Sequence, residues 1–229
     1  MEKDPFYFRQ MEVGPMQNFA YLIGDCDTRE CVAVDPAWQT DLILEQAKKD
    51  EMKITGILVT HTHYDHVNGV ESLLQATDAK VYVNKEESAF LKSSRADSTG
   101  IFINISAPNL TPVSGGDKIK VGKVGVEFIH TPGHTPGSQC FLVNNRLVSG
   151  DTLFIGYCGR CDLPGGNPDQ MYESLTQKLA KLGDDTLLYP GHNYSDAPVN
   201  RLGDEKKTNP YLAARSAKDF YRVMEGLLD

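Results

Sequence analysis

The order of apolar and turn-forming segments predicts an α/β chain built as a four-layer αββα sandwich, two sheets face to face with helices outside. Two observations lead there. Strand-like runs fall into two groups of hairpins, each interleaved with helix-like segments. The run at 54–59 is apolar along nearly its whole length, which suits a sheet covered on both faces. A single doubly wound sheet fits the same pattern and stays open at this level. With 229 residues and 40% hydrophobic content, the chain supports one sizeable domain over 1–229, ending in a short helical segment at about 204–229.

Each element has a local cause. Segments 6–13 and 18–24 read as a hairpin, carrying Tyr7, Phe8, Val13, Phe19, Tyr21, Leu22 and Ile23. Cys31-Val32-Ala33-Val34 makes a third strand, closed by Asp35-Pro36. Residues 41–49 read as a helix with Leu44 and Ala47 inward, 54–59 as a strand, 67–75 as a helix, 80–83 as a strand and 85–91 as a short helix. The polar, weakly patterned stretch 92–100 reads as a loop. A turn at 114–117 leads into strands 118–121 and 124–129 around Gly122-Lys123, where glycine tolerates positive φ. Segments 139–143 and 146–149 pair across Asn144-Asn145. Residues 169–182 form one amphipathic helix, with Met171, Leu175, Leu179 and Leu182 on a single face. The last strand is 186–189. A closing helix at 211–228 turns Ala213, Ala217, Phe220, Met224 and Leu227 inward.

Composition narrows the function classes. The net charge is −8, against a dedicated nucleic-acid binder, which carries a basic footprint. The first ten residues hold four charges and no apolar core of a signal peptide, and no run is long enough to span a bilayer. A cytoplasmic protein is expected, with no membrane partner. Five cysteines make a poor disulfide framework and fit a reducing compartment. Cys158-Gly159-Arg160-Cys161 has the CxxC form of a redox or zinc motif but lacks a second CxxC, so two thiols in a glycine-rich loop is the plainer reading.

The chemistry concentrates in Thr60-His61-Thr62-His63-Tyr64-Asp65-His66. Four potential ligands fall within six residues, between an apolar strand and a helix-like pattern. His nitrogen and carboxylate oxygen are the usual ligands of zinc and related ions. The competing reading is a polar surface turn. Against it, half of the six histidines of the chain fall in this one stretch. Three further segments repeat the grammar of an apolar strand followed by a ligand-type residue in a glycine-containing turn. They end at His134, Asp151 and His192. Strand ends along one edge of a sandwich converge, and loops there build sites. Seven ligands, His61, His63, Asp65, His66, His134, Asp151 and His192, exceed one tetrahedral zinc and suit two metals with Asp151 as the bridge. His130 lies before its turn and is expected to be structural or a partner to a ligand.

These stretches resemble a family. THTHYDH is similar to the HxHxDH motif of the metallo-beta-lactamase superfamily, and TPGHTPGS, SGDTLF and YPGH resemble its remaining metal-binding motifs. The resemblance runs from the first hairpin to about Pro210 and comes nearest to the glyoxalase II (hydroxyacylglutathione hydrolase) branch and its relatives the persulfide dioxygenases. It implies an αββα fold of two mixed sheets. It assigns His61, His63 and His134 to one divalent metal, and Asp65, His66 and His192 to the other, with Asp151 bridging. Zinc is the expected metal, with iron or manganese also compatible with these ligands. The implied reaction is cleavage of a thioester by a metal-held hydroxide, with Asp65 and Asp151 as the catalytic carboxylates and Asp65 orienting the nucleophile.

The resemblance also suggests substrate contacts. Arg160 matches a cationic residue that grips the glutathione carboxylate, and Tyr194 resembles a glutathione-contacting tyrosine. An ordinary salt bridge is the alternative for Arg160. The long helical C-terminal region of full-length glyoxalase II is absent here, which opens the substrate to other thioesters, esters or lactones. CGRCD resembles the persulfide dioxygenase loop, for which His61, His134 and Asp151 would form a two-His, one-carboxylate iron face. A metal-holding scaffold or sensor is the non-enzymatic reading. None of the seven ligand positions is degraded, which argues against it.

Overall fold

A computed structural model describes residues 5–92, 100–102, 105 and 110–226 of the chain. The first half of the chain builds one sheet. Strands β1 (Phe6–Val13) and β2 (Asn18–Asp25) form an antiparallel hairpin, and β3 (Glu30–Val34) pairs antiparallel with β2. Helix α1 (Thr40–Lys49) then carries the chain to β4 (Lys53–Leu58), parallel to β3. Helices α2 (Tyr64–Val67) and α3 (Val70–Ala76), strand β5 (Lys80–Asn84), helix α4 (Lys85–Leu91) and strand β6 (Leu110–Val113) follow. The sheet order is β1-β2-β3-β4-β5-β6.

The second half follows a similar plan, antiparallel strands first and then a parallel strand reached through a helix. Strands β7 (Lys118–Val121), β8 (Val124–His130), β9 (Gln139–Val143) and β10 (Arg146–Gly150) pair antiparallel. Helix α5 (Pro168–Glu173) runs on through a π turn at Ser174–Lys178 and a 3-10 turn at Leu179–Lys181. Strand β11 (Leu187–Pro190) lies parallel to β10, and the two-residue β12 (Asn200–Arg201) closes the edge. Helices α6 (Leu202–Thr208) and α7 (Ala217–Met224) end the described chain. Both sheets are mixed and six-stranded, so the doubly wound alternative is excluded.

Burial shows why two sheets form. Along β2 every residue is buried, and its two faces serve different cores. Phe19, Tyr21 and Ile23 meet Phe128, Phe141 and Val148 of the opposite sheet, while Ala20 and Leu22 pack with Ile43, Val70 and Leu73 of the helices. The outer face of the second sheet is covered by Met171, Leu175, Leu179, Leu202 and Phe220. This is the four-layer arrangement expected of strands whose two faces are both apolar. No helix among the described residues is long and apolar enough to cross a membrane.

Three helices differ from expectation. The segment at 67–75 is broken at Asn68-Gly69, where a Cβ on Gly69 would lie 2.7 Å from the Pro36 carbonyl and 2.5 Å from Thr40. The run at 169–182 accommodates one extra residue in its π turn, and there the Ser174 hydroxyl donates to the Pro132 carbonyl at 2.7 Å. The closing helix begins at Ala217 and not at 211, because Ser216 caps it by accepting from the Asp219 N–H at 3.1 Å. Leu227 and all but the ends of the loop expected at 92–100 lie outside the described residues.

Candidate metal centre

Four strand ends supply the centre. The turn after β4 carries His61, His63, Asp65 and His66, the turn after β8 carries His134, the end of β10 carries Asp151, and the end of β11 carries His192. All seven side chains lie together. His61 Nε2 and His134 Nε2 stand 3.0 and 2.9 Å from His63 Nδ1. His66 Nε2 and His192 Nε2 are 3.1 Å apart, and Asp65 Oδ2 lies 3.5 and 3.3 Å from them. Asp151 faces both groups: its Oδ1 is 3.3 Å from His66 Nε2, and its Oδ2 is 3.4 Å from His192 Nε2 and 3.6 Å from His134 Nε2. Glycines permit this crowding. Gly150 holds φ at +51°, and a Cβ on Gly191 would sit 2.3 Å from Asp151 Oδ1.

The outward nitrogens decide what the inward ones can do. His134 Nδ1 donates to the Arg160 carbonyl at 2.7 Å, and His192 Nδ1 to the Met16 carbonyl at 2.9 Å. His66 Nδ1 faces Asp35 Oδ2 at 3.0 Å. The Thr60 hydroxyl gives its proton to Asp35 at 2.5 Å and so accepts from His61 Nδ1 at 3.0 Å. Four imidazoles thus turn Nε2 toward the centre, with the outward N–H anchored as metal-ligating histidines require. In the neutral tautomers these outward bonds favour, His66 Nε2 and His192 Nε2 face each other as acceptors at 3.1 Å, a contact that a cation between them would relieve. Donors around a tetrahedral zinc with bonds of 2.0–2.1 Å sit about 3.3 Å apart. Asp151 Oδ1, buried with no hydrogen-bond partner, adds an unsatisfied anion. The set His61, His63, His134 and the set Asp65, His66, His192 each fit one cation. A third grouping, Asp35 with His61 and His66, involves the outward edge of the His66 ring, and Asp35 serves there as an orienting partner.

Electrostatics divides the centre. Burial, with His66 and His63 nearby, pushes His61 down. Burial and His134 push His63 down to about 3. Burial opposes charge on His66 and His192 as well, but Asp151 overcomes it and raises both, His192 to about 9. Asp65 stays low because the His192 contact, His66 and Asn18 outweigh its burial, and Asp151 because His66 and His192 do the same. The carboxylates build a place for positive charge.

The remaining predicted residues lie around this centre. Tyr194, 52% exposed, stacks on His192 at 4.6 Å and 11°. Arg160 touches the site through its carbonyl, while its guanidinium grips Asp162 through two bonds of 2.6 Å. His130 stands apart, its Nε2 at 2.9 Å from the Pro136 carbonyl. Cys158 and Cys161 are free thiols, both 3.6 Å from the Gly159 carbonyl, and burial pushes both up, Cys161 to about 12.

Several partners escaped the sequence reading. Asn18 donates to Asp65 Oδ2 at 2.9 Å and accepts from the Trp38 indole at 3.0 Å. Glu87 binds the backbone and hydroxyl of Thr62. Asp35 follows an apolar strand and precedes a proline, the same grammar that found the other turns, so its signal was present. Nothing in Lys85-Glu86-Glu87 marks the second glutamate.

Comparison with known proteins agrees with this geometry. The profile of the metallo-beta-lactamase superfamily matches residues 13–192. The persulfide dioxygenase ETHE1 of Homo sapiens is 31% identical, over 97% of this chain and 82% of its own length. The hydroxyacylglutathione hydrolase GloC of Haemophilus influenzae is 29% identical, over 89% of this chain and 97% of its own. The crystal structure of ETHE1 from Myxococcus xanthus superposes with a TM-score of 0.80 at 33% identity, covering 97% of this chain and 92% of that one. Fold, ligand geometry and profile converge, and the chain belongs to the metallo-beta-lactamase superfamily.

Proposed function

We propose that the protein is a binuclear metal-dependent hydrolase that cleaves a thioester of the hydroxyacylglutathione type. The observation that carries the reading is Asp151, whose two oxygens face both ligand sets. A carboxylate so placed suits a pair of cations sharing a bridge. When bound, divalent cations supply Lewis acidity, polarising a carbonyl and acidifying water near neutral pH. The chain does the rest. Asn18 and His192 keep Asp65 ionised and fixed, so it can accept a hydrogen bond from the attacking water and aim it. Tyr194 offers an exposed ring beside His192 against which a substrate can lie. Arg160 is the candidate for a substrate carboxylate, which would have to compete with Asp162 for it. The GloC similarity supports the thioester, and the similarity to human ETHE1 supports a second reading, a mono-iron persulfide dioxygenase on His61, His134 and Asp151.

Metal content and two assays on one preparation separate them. Thiol release from a hydroxyacylglutathione, lost on chelation and restored by divalent zinc, is the expected result. Stoichiometric oxygen uptake on glutathione persulfide with one iron per chain, and no thiol release from the thioester, overturns it. Hydrolysis of other esters or lactones in place of the thioester moves the substrate but keeps the reaction class.

A further inference from the structure

Glu87 is a fully buried acid outside the ligand set, with 0% of its surface exposed. Its two oxygens divide their work. Oε1 accepts from the Thr62 N–H at 2.8 Å and the Thr62 hydroxyl at 2.9 Å. Oε2 accepts from the Thr135 hydroxyl at 2.7 Å and the Gly137 N–H at 2.9 Å. Thr62 separates His61 from His63, and Thr135 follows His134. One carboxylate therefore staples the two turns that supply the His61, His63 and His134 set. The approach is tight, since a Cβ on Gly137 would lie 2.2 Å from the Glu87 backbone nitrogen.

Two features set this contact apart from an ordinary staple. All four donors to the carboxylate are neutral, and among the described residues no ion pair compensates the charge. A buried anion without a cation is costly. A cation held by the three histidines, each adjacent in sequence to a residue Glu87 grips, would supply the missing positive charge. The chemistry also demands a carboxylate. Four converging donors need an acceptor-only group, and a glutamine would turn an NH2 toward one of the turns.

We propose that Glu87 is a positioning residue that sets the cation affinity of the His61, His63 and His134 set, through both the spacing of the two turns and its buried charge. This rests on the cation-centre reading above. The test uses the full chain, stripped of metal and titrated with cobalt(II) against a competing chelator. The binding step abolished by His134→Ala identifies the site. Glu87→Gln weakens that step about ten- to a hundredfold, the range for partners of metal ligands, and changes its cobalt absorption. Glu87→Asp, which keeps the charge but shortens the reach, falls between. Thr135→Val, which removes one donor, shifts affinity in the same direction by less. Glu86→Gln, an exposed neighbour on the same helix, leaves it unchanged. Urea unfolding of stripped and loaded forms supplies the second readout, and the gap between them narrows in Glu87→Gln. Wild-type affinity and spectrum in Glu87→Gln, or equal stability losses in the stripped and loaded forms, overturn the proposal. If Glu87→Gln does not fold, unchanged affinity in Thr135→Val and Glu87→Asp overturns it. A wild-type chain that takes up no cobalt removes the cation centre itself, a different failure.

Discussion

Replacing Asp35 with asparagine reverses the proton order behind the proposed metal ligands His61 and His66. Its Oδ2 accepts from the Thr60 hydroxyl at 2.5 Å and from His66 Nδ1 at 3.0 Å, and its Oδ1 accepts from the Thr60 N–H at 2.8 Å. An amide can keep the Oδ1 bond. Its NH2 then faces the other two groups and can only donate. His66 Nδ1 must become an acceptor, which places the ring proton on Nε2, pointing into the centre. The Thr60 hydroxyl, no longer able to donate to residue 35, turns to His61 Nδ1 and forces the same change there. One ring in each ligand set is affected. Loss of an outer partner costs about ten- to a hundredfold in metal affinity, roughly 1.4–2.8 kcal/mol per site. Two charge-assisted bonds of about 1.5–3 kcal/mol each are exchanged for weaker ones. A net stability loss of about 2–3 kcal/mol would lower Tm by roughly 5–10 °C in a chain of this size. Competition against a chromophoric chelator, with calorimetry on the stripped protein, measures both. Zinc affinities within twofold of wild type at both sites would refute the tautomer reasoning.

Three further outcomes are expected. Glu205 is buried and accepts from the Gly156 N–H at 2.8 Å, Asn200 at 2.6 Å and Asn209 at 3.0 Å. Glu205→Ala orphans these donors and costs about 3 kcal/mol in urea unfolding, and a loss indistinguishable from zero would show that water replaces it freely. Gly14→Val must place a Cβ 2.2 Å from the Trp38 ring at a φ of +69°. It should lower kcat through the Trp38–Asn18–Asp65 chain and shift the emission of the single tryptophan, whereas an unmoved spectrum with full activity would show the ring is not load-sharing. Asp50 is opposed by burial, but hydrogen bonds from Gln46, Tyr7 and Arg9 hold its carboxyl below the usual range. A carboxylate lowered on folding stabilises fully above its unfolded pKa of about 3.9 and loses that contribution as pH falls through the folded value. Asp50→Asn is therefore less stable at pH 7 yet loses less on acidification, so its urea midpoint approaches that of wild type as pH falls through the folded value. Parallel curves would contradict this.

What the sequence disclosed and what it hid have separable causes. The seven candidate ligands stood out because polar residues at the ends of apolar strands have no packing role, and periodicity located the strands that carry them. The two-layer sheet was readable because β2 and β4 are apolar on both faces. Strand β6 was missed because Pro112 lies within it, which an edge position tolerates. Helix α6 fell within the helical segment expected at about 204–229 but was not placed as an element of its own, because its run Gly203-Asp204-Glu205-Lys206-Lys207 has no apolar period and its stability comes from the buried contacts of Leu202 and Glu205. The start of α7 was misplaced because apolar spacing continues back to Tyr211, although Ser216 and Asp219 spell out the cap. Glu87 was invisible for a different reason. Its role depends on two turns that lie 25 and 48 residues away and meet only in the folded chain.

Among the described residues the two sheets are consecutive in sequence, the leading one built from β1–β6 and the trailing one from β7–β12. His61, His63, Asp65 and His66 belong to the leading half, and His134, Asp151 and His192 to the trailing half. Neither ligand triad is complete on one side: the first lacks His134 and the second lacks His192. An ion taken up by either triad would therefore find its full set of candidate ligands only once the two halves have docked in register.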